Sequence, residues 1–112
     1  MFEKLTQFDL HQRIAAQPAS ALVFFSGEGC SSCRHLKRVL TQVSARRPDW
    51  SIFEVDAQAE MGLTREFEVF HLPTLFLFQD GEFHCELHCE ARAEAIEAAV
   101  SEALARPPQE AP

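Results

Sequence analysis

Ala21-Leu22-Val23-Phe24-Phe25-Ser26-Gly27-Glu28-Gly29-Cys30-Ser31-Ser32-Cys33 decides how the chain folds. Its first five residues form the longest uninterrupted apolar run in the sequence, the length of a buried central strand. Ser26-Gly27-Glu28-Gly29 is a tight connection. Beyond it Cys33, Leu36, Val39, Leu40 and Val43 recur at three-and-four spacing, which predicts an amphipathic helix to about Arg47, ended by Pro48. Two cysteines therefore sit where a core strand hands over to a long helix.

Working outward, Phe8, His11, Ile14 and Ala15 share one face of a first helix, with Thr6 and Asp9 spaced as a cap and Pro18 ahead as a stop. Met1 to Lys4 leads into a mixed polar segment. Ser51 to Asp56 reads as a second core strand, Gln58 to Phe67 as a weak helix interrupted by Gly62, and Leu75 to Phe78 as a third strand. Asp80-Gly81 suits the positive φ values of a type I′ turn, so Phe83 to Cys89 returns as the second arm of a hairpin. Ala91 to Arg106 closes the chain as a helix with Ile96, Val100 and Leu104 on one stripe. The order predicts an α/β fold, a central mixed sheet with helices on both faces. Residues 1–106 form the domain. Residues 107–112, three of them proline, cannot continue a helix and are expected to be a flexible tail.

The chain has 112 residues, 46% of them hydrophobic and 24% charged. That is one domain with enough apolar surface to build a core without disulfide staples. Ten basic against seventeen acidic residues give a net charge of −7, the wrong sign for gripping a phosphate backbone, so nucleic acid is not an expected partner. No stretch is long and apolar enough for a membrane span, and the amino terminus lacks a signal-peptide apolar core. A cytoplasmic monomer is expected. In that compartment thiols are mostly reduced, so four cysteines point to redox chemistry, metal binding or plain core thiols rather than to a disulfide framework.

For Cys30 and Cys33 the placement matters more than the spacing. The first turn of a helix has unpaired N–H groups and the positive end of the dipole, which favour a thiolate on Cys30. Cys30 is the expected nucleophile. Cys33, one turn on and less exposed, can resolve the mixed disulfide that Cys30 forms. The plain alternative is two cysteines packed by chance at a helix start.

This stretch resembles the active-site strand and turn of thioredoxins. Phe67-Glu68-Val69-Phe70-His71-Leu72-Pro73-Thr74-Leu75-Phe76-Leu77-Phe78-Gln79-Asp80-Gly81-Glu82 is similar to that family's cis-proline segment, following strand and hairpin. Element order agrees up to Arg106. The resemblance implies the thioredoxin fold, a cis Pro73 packed against a redox-active Cys30–Cys33 pair, and a substrate groove at Gly29, His71, Leu72 and Pro73. There the Leu72 backbone would pair with an extended substrate segment.

Departures from the family's pattern are informative. Gly29 stands where thioredoxins usually carry Trp, and Ser31-Ser32 where they carry Gly-Pro, so the aromatic lid is gone. Phe24 and Ile52 occupy the places of the family's buried Asp and its Lys partner. Losing both together avoids an unpaired buried charge but removes the proton relay to the second cysteine. Arg38 replaces a helix-kinking proline. His71, on the loop expected to face Cys30, is a candidate replacement for the relay, because histidine is the side-chain type suited to proton transfer near neutrality; a solvent-facing histidine without a role is the plain alternative. His35 points largely away from Cys33.

Cys85 and Cys89, flanked by His84 and His88, suggest a metal cluster at first. Strand alternation instead sets Phe83, Cys85, Leu87 and Cys89 on one face and His84, Glu86 and His88 on the other. Cys85 and Cys89 are expected to be packing thiols; the alternative, which the resemblance implies, is that Cys89 at the strand's end stands as a third thiol near the cis-proline groove. No metal or cofactor is expected. The leading expectation is thiol–disulfide exchange with protein disulfides, in the reducing direction, recharged by a thioredoxin-reductase-type or glutathione system. A thioredoxin-like adaptor with slight redox activity is the alternative, and a soft-metal carrier is disfavoured by Gly29 and Leu72-Pro73-Thr74.

Overall fold

A computed structural model describes residues 2–112. Its elements are β1 (Glu3–Lys4), α1 (Leu10–Ala15), β2 (Ser20–Ser26), α2 (Ser31–Arg46), β3 (Ser51–Asp56), α3 (Met61–Glu66), β4 (Thr74–Gln79), β5 (Glu82–Leu87) and α4 (Ala93–Leu104). The five strands form one sheet in the order β1-β3-β2-β4-β5. β1 and β2 run parallel to β3, whereas β4 is antiparallel to both β2 and β5.

β2 is buried along its whole length, as a central strand covered on both faces must be, and its apolar run follows from that. Alternation sends Leu22 and Phe24 into a layer with Leu36, Leu40 and Val43 of α2 and Ile96 and Val100 of α4. Val23 and Phe25 enter the opposite layer with Leu10 and Ile14 of α1, Leu63 of α3, and Phe76 and Phe78 of β4. The mixed sheet thus has helices on both faces.

Several local expectations are corrected. Glu3–Lys4, which the sequence reading did not assign to an element, adds an edge strand beside Phe53 and Glu54. Phe8 lies in the turn before α1 and is 87% exposed, and His11 and Ala15 are exposed too; in α1 Leu10 and Ile14 are the residues that reach the core. The helix expected over 58–67 is confined to Met61–Glu66, and the closing helix spans Ala93–Leu104 rather than 91–106. Ala103, not Leu104, completes its buried stripe, since Leu104 is 38% exposed. At the carboxyl end, Gln109 N–H donates to the His84 carbonyl at 2.7 Å.

The hairpin turns on Asp80 and Gly81, both at positive φ, but its second arm does not alternate as expected. Phe78 pairs with Phe83 and Leu77 with Cys85, leaving His84 as the extra residue of a β-bulge. The bulge changes face: Phe83 packs on the α1 side, Cys85 and Leu87 on the α4 side. His84 is buried, not on a solvent face, and its Nε2 lies 2.6 Å from the carbonyl oxygen of Ala103. The strand ends at Leu87, so Cys89 lies beyond it, exposed. Among the described residues, no group of three or more His, Cys, Asp or Glu side chains is placed to hold a metal.

Candidate active site

Cys30 is the N-cap of α2, with the extended backbone (φ −102°, ψ 101°) that a cap requires. Its Sγ accepts a hydrogen bond from the Cys33 backbone N–H at 3.1 Å, and Ser32 Oγ lies 3.6 Å away. An N–H of the first turn, which has no carbonyl partner inside the helix, is aimed at the sulfur. No acidic residue occupies that turn to offset the dipole. A negative charge developing on Cys30 Sγ is therefore stabilised in place.

Cys30 and Cys33 are joined as a disulfide, with Cα atoms 5.2 Å apart. Cys30 is half-buried, while Cys33 is only 3% exposed. An incoming thiol or disulfide meets Cys30 first. Burial reserves Cys33 for attack from within.

Gly29 takes φ +70° just before the pair, and a Cβ there would meet nothing within 4 Å. That position is open to solvent. A Cβ on Gly27 would lie 2.9 Å from Leu72 Cδ1, so the absence of a side chain at Gly27 lets the 71–73 loop close against the active-site turn. The Leu72–Pro73 peptide is cis. His71 is exposed, its carbonyl accepts from Thr74 Oγ1, and its imidazole makes no protein hydrogen bond among the described residues. The structure thus brings Leu72 to the turn without tying the His71 ring to the disulfide.

Pro73 shares a cleft of about 150 Å³ with Ser32, His35, Leu75, Cys89 and Ala91. His35 Nε2 is 3.2 Å from the Ala91 carbonyl oxygen, which turns the ring away from the redox pair. Partial desolvation pushes the Cys89 thiol above the ordinary thiol range. Burial does the same to Cys85, despite the opposing pull of Arg106. Neither is a ready nucleophile at neutral pH.

Phe24 and Ile52 are buried together in the α2 layer. One site residue escaped the sequence reading: Glu54, 4% exposed, beneath the start of α2. Its Oε2 accepts from Ser26 Oγ at 2.6 Å and pairs with Lys37 Nζ at 3.1 Å. The available signal was a carboxylate inside the apolar run Ile52-Phe53-Glu54-Val55, which a core strand tolerates only with a partner.

A cysteine pair at a strand-to-helix junction, its first sulfur capping the helix and a cis-proline loop against the turn, defines a protein built around a reversible dithiol–disulfide centre. The family model for thioredoxin matches residues 1–102, and the chain belongs to the thioredoxin family. A thioredoxin of Chlamydia trachomatis is 32% identical over 80 residues, which are 70% of this chain and 78% of that one. A thioredoxin of Mycoplasmoides gallisepticum is 30% identical over 61 residues, 54% of this chain and 61% of that relative. The match thus spans less than two-thirds of the length of some relatives. Among solved structures, thioredoxin f2 of Chlamydomonas reinhardtii superposes with a TM-score of 0.80 at 17% identity, covering 97% of this chain and all of that one. The fold is that of thioredoxin. No helix among the described residues is long and apolar enough to cross a membrane.

Proposed function

We propose that the protein is a thiol–disulfide oxidoreductase acting on protein disulfides. The observation that carries this reading is the Cys30 sulfur capping α2 beside the buried Cys33. In the reduced protein, the Cys30 thiolate attacks one sulfur of a substrate disulfide, forming a Cys30–substrate mixed disulfide and releasing the other substrate sulfur as a thiolate. Cys33 then attacks Cys30 Sγ, the bond to substrate breaks, and the second thiolate leaves as the intramolecular disulfide closes. Two electrons pass from the pair to the substrate. Gly29, His71, Leu72 and Pro73 form the substrate-binding surface, with the Leu72 backbone pairing with an extended segment. The cytoplasm, a monomeric state and recharging by a thioredoxin-reductase-type or glutathione system complete the proposal.

Insulin-disulfide reduction in the presence of dithiothreitol tests it. Cys30→Ser should fall to the rate of dithiothreitol alone, whereas Cys33→Ser should accumulate mixed disulfides visible on non-reducing gels. Wild-type rates from Cys30→Ser would overturn Cys30 as the nucleophile, and a wild-type protein no faster than dithiothreitol alone would overturn the reading in favour of an adaptor.

A further inference from the structure

The resolving step requires Cys33 to lose a proton while 3% exposed, and a buried thiol ionises reluctantly. Below it lies a cavity of about 200 Å³ whose walls include Cys33, Ser26, Lys37 and Glu54. With a water's share of volume about 30 Å³, the cavity has room for several waters. The titratable and charged groups facing Glu54 across it are Cys33, Arg34 and Lys37 from α2, Asp56 from β3, Lys4 from β1 and Glu28 from the turn.

Glu54 is the one buried carboxylate among the described residues. Both of its partners engage Oε2, leaving Oε1 without a protein hydrogen bond. Asp56, on the same cavity wall, accepts through Oδ1 from the backbone N–H groups of Gln58 and Ala59, and it differs from Glu54 in being only half-buried. Isolated burial of a carboxylate costs several kcal/mol. Lys37 and Ser26 offset that cost by engaging Oε2, and Oε1 is left beside the cavity as a free acceptor atom.

We propose that Glu54 is the proton acceptor for Cys33 during resolution, acting through water in this cavity and poised by Lys37. As Cys33 Sγ bonds to Cys30 Sγ, the Cys33 proton passes through water to Glu54, and the substrate sulfur leaves as a thiolate that solvent protonates. Glu54 then returns its proton to solvent through the mouth lined by Lys4 and Glu28. Ile52 and Phe24 take no part in this. The assignment rests on the exchange chemistry proposed for Cys30 and Cys33.

The test uses reduced protein mixed with one equivalent of 5,5′-dithiobis(2-nitrobenzoate) and acid-quenched over time. Mass spectrometry separates the Cys30–thionitrobenzoate adduct from the closed Cys30–Cys33 disulfide. In Glu54→Gln, closure at pH 7 should slow by about tenfold or more, as general-base loss predicts, and should recover only as pH rises into the range where the thiol ionises unaided. Adduct formation should be unaffected, and Glu54→Asp should restore part of the closure rate. Lys37→Gln, at a half-exposed position, removes the cation paired with Glu54 Oε2 and should slow closure at pH 7, though less than Glu54→Gln does. Unchanged closure in Glu54→Gln, or the same profile shift from Asp56→Asn alone, overturns the assignment of Glu54. A wild-type protein that forms no Cys30 adduct overturns the exchange reading itself.

Discussion

Gly29 holds φ +70° directly ahead of the nucleophile, in the region where a Cβ meets the following carbonyl. Gly29→Ala should cost about 1 kcal/mol, read from urea unfolding; since nothing lies within 4 Å of the added atom, a larger loss would mean that the turn has moved. Cysteine reactivity is a second matter decided residue by residue. The raised pKa of Cys89 lowers its thiolate population at pH 7, so iodoacetamide should mark Cys30 first in the reduced protein. Cys89 labelling should accelerate only above the ordinary thiol range, and Cys85, buried, should lag behind it. Early modification of Cys89 would contradict this order.

Among the elements, α1 depends most on a few local bonds, being only six residues long, too short to persist alone. The turn ahead of it is locked reciprocally. Thr6 N–H donates to Asp9 Oδ1 at 2.7 Å, and Phe8 N–H donates to Thr6 Oγ1 at 3.2 Å. The bond from the Thr6 backbone, above all, holds the Asp9 carboxyl below its usual range. A carboxylate whose pKa is lowered by folding stabilises above its unfolded pKa and loses that contribution as pH falls through the folded one. Asp9→Ala should therefore lower stability by about 1 kcal/mol at neutral pH, and the difference from wild type should shrink in acid. Thermal melts at both ends of that range check the sign. In β5 the bulge at His84 acts as a second local device, because it lets Phe83 and Cys85 serve opposite core layers.

Across the whole molecule, the layer facing α1 and α3 is organised by Phe67. Its ring centroid lies 5.2 Å from that of Phe76, 5.8 Å from Phe25, 6.2 Å from Phe78 and 6.4 Å from Phe83. One side chain thus ties the end of α3 to β2, β4 and β5. Phe67→Ala should cost about 3–5 kcal/mol, with equilibrium unfolding in urea as the measurement and Phe67→Leu losing less. Because β2 and the cis-proline loop are anchored to this layer, the loss should appear in the active-site turn as well as in global stability.

Periodicity is local, and it sufficed for the strand-to-helix junction at Cys30, the buried β2, the hairpin at Asp80-Gly81 and the stripe of α2. Those features depend on neighbours within a few residues, so composition and spacing specify them. The helix N-terminus that favours a Cys30 thiolate belongs to the same class. What the chain alone did not disclose rests on partners far apart in sequence. β1 exists because Phe53 and Glu54 offer an open edge. His84 is buried because a bulge turns it toward Ala103. Leu72 meets Gly27, and Glu54 meets Ser26 and Lys37. A carboxylate within a core strand is unfavourable when read locally; only the packing of α2 over β3 supplies the cation, the hydroxyl and the space beneath Cys33 that make its burial tolerable.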